Sequence, residues 1–190
     1  MKHWFTISML TLLVCLLSAP SLQAQYLPRA HYIGASATIV TEPVGWGVQY
    51  EYGYDENIGL GLVIRYWGQK PGKDFTSTYT ATLDREAFAP MFQVRYHFLP
   101  REIMDPFAGV RLGYTVYTET LTTEGIYTGT KPPAKAESGL TMSVIGGMRY
   151  FASDKISIEG ILEYFLMNDE GYFEYQTSTA VTIGVNFTLN

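Results

Sequence analysis

Taken in steps of two, the end of the chain separates cleanly into two faces. Val181, Ile183, Val185, Phe187 and Leu189 share one, and Thr182, Gly184, Asn186, Thr188 and Asn190 share the other. A period of two sends successive side chains to opposite faces of an extended strand, so this segment is predicted to be one. The same template fits 156–167, where Ile156, Ile158, Leu162, Tyr164 and Leu166 oppose Ser157, Glu159 and Glu163. It fits again over 139–151, 107–118, 88–98, 58–67, 46–54 and, more weakly, 32–39. Eight strands are expected.

The connections alternate in length. Residues 54–57, 99–105 and 152–155 are short and rich in Pro, Asp, Asn and Ser, which favour tight turns. Residues 68–87, 119–138 and 168–178 are long, polar and Tyr/Thr-rich, whereas 40–45 is brief. Short turns on one rim, long loops on the other and both ends of the strand series on the short rim form the layout of a transmembrane barrel. The expected fold is therefore all-β: an eight-stranded antiparallel up-and-down transmembrane β-barrel.

Alternation does not say which face is buried, since a soluble ligand-binding barrel also pairs an apolar face with a polar one. Charge placement separates the two. After the first two dozen residues the lysines are Lys70, Lys73, Lys131, Lys135 and Lys155, all expected in loops or turns. A sheet bathed in water would use strand lysines for solubility and edge protection. The strand charges are instead Arg65, Arg95, Arg111 and Arg149 with Glu51, Glu159 and Glu163, every one on the polar parity. Arginine suits a buried ion-pair cluster because its planar fork matches a carboxylate and it is weakly hydrated. These seven residues are expected to form a structural ion-pair cluster in the lumen. Glycines on the same parity, among them Gly47, Gly59, Gly61, Gly147 and Gly184, leave room for the long side chains.

The apolar parity carries aliphatic residues mid-strand and aromatics towards the ends. Trp46, Tyr66 and Tyr164 mark the long-loop rim, and Tyr54, Tyr96, Phe98, Tyr150 and Phe187 the short-turn rim. Two aromatic girdles are expected of a lipid-facing barrel.

Composition agrees with this picture. Of 190 residues, 16% are charged and 47% hydrophobic, with 15 Tyr and 18 Gly, and a charge fraction that low is unusual for a water-soluble domain. Residues 1–24 look like a cleaved secretory signal: Lys2, the apolar stretch 7–17, and Leu22, Gln23 and Ala24 before the expected cut. The barrel domain is then 25–190. Cys15, the sole cysteine, lies in the leader, so the mature chain has neither disulfides nor cysteine metal sites. The leader holds one lysine and no acid, which leaves 12 basic residues against 18 acidic ones and argues against a nucleic-acid surface.

With these features the chain resembles the small eight-stranded outer-membrane β-barrel superfamily, which includes the OmpA transmembrane domain, OmpX and compact barrel proteins of Bacteroidetes. The resemblance covers the mature chain and is architectural. It implies a place in a Gram-negative outer membrane among its lipids and lipopolysaccharide, and a monomer. It also implies a final strand, 181–190, recognised by the barrel assembly machinery, with Phe187 as the aromatic near its end, and no peptidoglycan-binding module after it.

Some barrels of this kind modify lipid A, but a histidine with a positioned partner near the outer surface is required for that chemistry. His31 is expected before the first strand and His97 on the lumen parity, both at the short-turn rim. Gly68, Gly72, Lys73 and Asp74 have the wrong spacing for a phosphate loop and are assigned to a loop. No catalytic, cofactor or metal site is expected. Surface recognition of an extracellular ligand falls to the Tyr/Thr-rich segments, 76–80, 117–124 and 172–177, which otherwise serve as strand extensions above the membrane. The rival functions are a soluble periplasmic ligand-binding barrel and a lipid A-modifying enzyme.

Overall fold

The computed structural model describes residues 25–39, 44–69, 73–75, 79–125, 135–167 and 179–189. The expected leader, 1–24, lies outside them. Among the described residues nine strands follow one another: β1 (His31–Ile39), β2 (Val44–Gly53), β3 (Ile58–Gln69), β4 (Lys73–Phe75), β5 (Tyr79–His97), β6 (Met104–Gly125), β7 (Lys135–Ser153), β8 (Ile156–Met167) and β9 (Thr179–Leu189). All pairings are antiparallel. β1 pairs with both β2 and β9, and β3 pairs with β5, so eight strands close on themselves without a free edge. The three-residue β4 stands outside the closure and pairs only with 80–82 of β5. No described helix is long and apolar enough to cross a membrane.

The parity inferred from the sequence is realised with the apolar face outwards. Val144, Leu162, Ile183 and Phe92 are open to the outside, while Glu163, Arg95, Ser143 and Asn186 on neighbouring positions are buried. A soluble barrel would reverse this. Trp46, Tyr164, Tyr96, Phe98 and Phe187 lie on the outer face near the rims. The Trp46 and Tyr66 rings stand 5.5 Å apart, and the Tyr96 and Phe98 rings 5.2 Å apart.

Three strands run further than the sequence pattern suggested. β5 starts at Tyr79, β6 continues to Gly125 and β7 starts at Lys135, so much of the expected loops 68–87 and 119–138 is sheet. The physical reason is that Thr and Tyr favour strands without an apolar alternation to reveal them. Leu83 pairs with Leu121 and Thr82 with Thr122 in this extension. Here the outward positions become polar, with Thr82, Asp84 and Glu86 on β5 and Thr118, Thr120 and Thr122 on β6. That change marks where the wall leaves the apolar belt. Two lysines assigned to loops accordingly lie in strands beyond the belt, Lys73 in β4 and Lys135 at the head of β7. His31 opens β1 rather than preceding it, and its Nδ1 lies 2.7 Å from the Tyr50 hydroxyl. Gly68 belongs to β3, and the expected loop around it is outside the described residues at 70–72.

The β5–β6 ladder skips Ala89 and Pro90, because proline has no N–H to offer it. Opposite, the ideal Cβ position of Gly113 would overlap the Pro90 carbonyl and the Met91 side chain. Glycine lets the two strands close up where the ladder is interrupted.

Candidate functional site: the layered lumen

The inward positions stack in layers from the short-turn rim to the long-loop rim. At the short-turn rim, 25–30 turns into the mouth of the barrel. Tyr26 stacks between Tyr32, 5.2 Å away, and His97, 3.8 Å away. Its N–H donates to Pro100 O at 2.8 Å and its hydroxyl to Ile58 O at 3.2 Å. Burial, reinforced by the nearby Glu51 carboxylate, pushes the Tyr26 phenol far above its ordinary value, so it stays neutral. Leu27 N–H donates to the Tyr32 hydroxyl at 2.6 Å, and Arg29 takes a left-handed φ of 67° that turns its N–H onto Gly53 O at 2.6 Å. Tyr26, Ala30, Tyr32 and Phe151 make a buried apolar layer.

Above it lies the lower charge layer. Arg95 Nη1 donates to Glu51 Oε2 at 3.0 Å and to Glu159 Oε2 at 2.9 Å. Arg149 Nη2 reaches the same two oxygens at 2.9 and 3.0 Å. Two guanidinium groups thus alternate with two carboxylates, brought together from β2, β5, β7 and β8. Gln49 Nε2 donates to Glu159 Oε1 at 2.5 Å and to Asn186 Oδ1 at 2.6 Å. His97 sits beneath, with Nε2 3.0 Å from Glu51 Oε1 and Nδ1 2.5 Å from Asp105 Oδ2. The Arg149 guanidinium also lies 5.0 Å from the Tyr32 ring, and that of Arg95 4.6 Å from the Phe107 ring.

Glycines open the space these side chains occupy. A Cβ on Gly59 would lie 2.6 Å from Glu51 Oε1 and 2.9 Å from the Tyr26 hydroxyl. On the β6–β8 wall, Phe107, Ile145 and Ile161 form an apolar partition between this layer and the next.

The upper charge layer is built differently. Arg65 Nη1 and Arg111 Nη1 converge on one oxygen, Glu163 Oε2, at 2.5 and 2.7 Å. The other, Oε1, accepts from the Ser143 hydroxyl at 2.5 Å. Arg111 Nε donates to Gln93 Oε1 at 3.2 Å. Two cations share one carboxylate, and all three residues are buried. Over them lies an apolar layer of Val63, Trp67, Ala87, Ala89, Met91, Tyr117 and Ala180, with Phe165 packed against it.

All seven expected cluster residues are therefore buried in the lumen, divided into two groups rather than one. Inspection of the sequence missed Asp105, which falls in a segment read as a turn, and the plugging tyrosines Tyr26 and Tyr32. It also missed Gln49 and Gln93, and it placed Ser143 and Asn186 on the inward face without their part in the network. Their shared signal is inward parity, visible for all but Tyr26 once strand bounds are known. Among the described residues, no three His, Asp or Glu side chains are grouped as metal ligands.

The model of the outer membrane protein beta-barrel domain family matches residues 9–188. The chain belongs to this family. It is accordingly a protein of the Gram-negative outer membrane, set among lipids and lipopolysaccharide. Among solved structures it is similar to the N-terminal β-barrel domain of Pseudomonas aeruginosa OprF, at 11% identity and a TM-score of 0.59, over 85% of this chain and 98% of that one. OprG of the same organism gives 10% identity and a TM-score of 0.59, over 88% and 99%. Ail, the attachment invasion locus protein of Yersinia pestis, solved with the heparin analogue sucrose octasulfate, gives 10% and 0.55, over 86% and 100%. At such identities the likeness is one of fold. Comparison with curated protein sequences finds no match.

Proposed function

We propose that this outer-membrane barrel is a structural and adhesion-type protein whose lumen is plugged by its own side chains and which carries out no catalysis. The observation that supports this is the unbroken stacking of buried layers: apolar, charged, charged and apolar from one rim to the other. An eight-stranded barrel is just wide enough for side chains to fill. The seven arginines and glutamates act as a structural cluster, holding the walls in register through pairs that span the lumen. Buried pairs of this kind serve geometry more than net stability.

The contact surface is the Tyr/Thr-rich segments 76–80, 117–124 and 172–177, whose residue types combine hydroxyls with aromatic faces as recognition surfaces do; of these, 79–80 and 117–124 belong to the extensions of β5 and β6, and 76–78 and 172–177 lie outside the described residues. The attachment protein Ail shares the fold, which is consistent with such a role. Insertion would use β9, presented to the assembly machinery through its outward Val185, Phe187 and Leu189, and the closed hydrogen-bond ring suits a monomer.

Single-channel recording in planar bilayers tests the plugged lumen. The folded protein is expected to leave the bilayer resistance unchanged, and steady stepwise currents would refute the proposal. Lipid A from cells with and without the protein should be identical by mass.

A further inference from the structure

The two charge layers differ in balance. In the lower one, the Arg95 and Arg149 guanidinium groups meet the Glu51 and Glu159 carboxylates one for one, and every nitrogen of Arg149 has an acceptor, while Arg95 Nε and Asn186 Nδ2 lack one. In the upper one, Arg65 and Arg111 share Glu163, an excess of one positive charge in a compartment that is 0–1% exposed. Arg65 lies on its single carboxylate oxygen through Nη1, yet none of its three guanidinium nitrogens makes a properly directed hydrogen bond. Gln93 Nε2 and Trp67 Nε1 are also buried donors without an acceptor. Arg65 lies 6.0 Å from the Trp67 ring, and Gln93 joins the same network through Arg111. Among the described residues, the unmet groups of this layer are all donors.

We propose that the upper layer is a binding site for a small monovalent anion of halide size, held against the Arg65 guanidinium. A buried unpaired charge costs several kcal/mol, and one anion brings the layer to neutrality while supplying the acceptor these donors lack. A water molecule would accept hydrogen bonds but leave the charge in place. A doubly charged oxyanion would reverse the imbalance and needs space for four oxygens. The same donors make bromide an equivalent ligand, and bromide can be located by its anomalous scattering.

The test uses the full barrel folded in detergent micelles, with urea unfolding followed at constant ionic strength in sodium chloride, sodium bromide or sodium gluconate. Chloride and bromide are expected to raise the unfolding midpoint over gluconate, and at ten times the dissociation constant the apparent unfolding constant should fall about elevenfold. Arg65→Met should remove the halide dependence, which separates binding from general salt effects. Crystals grown in bromide should show an anomalous peak beside Arg65, a readout that needs no variant. Equal midpoints in all three salts, an undiminished halide effect in Arg65→Met, or bromide crystals without a peak in the upper layer would each overturn the site.

Discussion

The lower and upper charge layers are made from the same residue types, the charges of one on β2, β5, β7 and β8 and those of the other on β3, β6 and β8, and they solve different problems. Below, Glu51 and Glu159 are each held by both Arg95 and Arg149 and further fixed by His97 and Gln49, so the two guanidinium groups and two carboxylates balance, although Arg95 Nε and Asn186 Nδ2 have no acceptor. Above, Glu163 is outnumbered and the arginine donors exceed the acceptors. The difference shows that a buried ion-pair cluster is not one kind of object. A balanced one can act as a fastener, whereas an unbalanced one stores a demand for something else.

The heaviest blow to the lower layer is Glu159→Ala. It strands two buried guanidinium groups on one remaining carboxylate, and a loss of about 3 to 5 kcal/mol in unfolding free energy is expected from urea titration. A loss under about 1 kcal/mol would mean that the lower layer is no fastener. Val144→Arg probes the wall beside the upper layer: on the lipid face it should cost about 2 to 4 kcal/mol in bilayers. A smaller cost there than for Ser143→Asn on the inward side would reverse the assigned facing. Gly59→Ala pushes a methyl into Glu51 and Tyr26 and should cost about 1 to 3 kcal/mol by overpacking. Gly160→Ala points into open space on the outer face, with nothing within 4 Å, and should change stability by less than about 0.5 kcal/mol.

Much of this was legible in the sequence because the barrel wall is a strict two-residue code. Arg65, Arg95, Arg111, Arg149, Glu51, Glu159 and Glu163 could be put on the inner face from parity alone. Their division into two layers could not, since it depends on the register of eight strands and on which residues from distant strands share a height. Arg95 and Glu159 are 64 positions apart and Gln49 and Glu159 are 110 apart, yet each pair is in hydrogen-bond contact. Asp105 was hidden by its place beside a turn, although it supplies the third carboxylate of the lower layer. The extensions of β5 and β6 were hidden for another reason: with Thr82, Thr118 and Thr120 at outward positions in place of apolar residues, they have no apolar outer face to read. Tyr26 had no strand pattern at all, and its role comes from tertiary packing against Tyr32 and His97.

The contrast between the layers is tested most directly by measuring Arg95→Met and Arg65→Met side by side, as unfolding free energies in halide-free buffer. Arg95→Met should lose about 3 to 5 kcal/mol because it breaks a satisfied pair, whereas Arg65→Met should lie within about 1 kcal/mol of the parent or above it, because it removes surplus buried charge. Equal losses in the two variants would contradict the account.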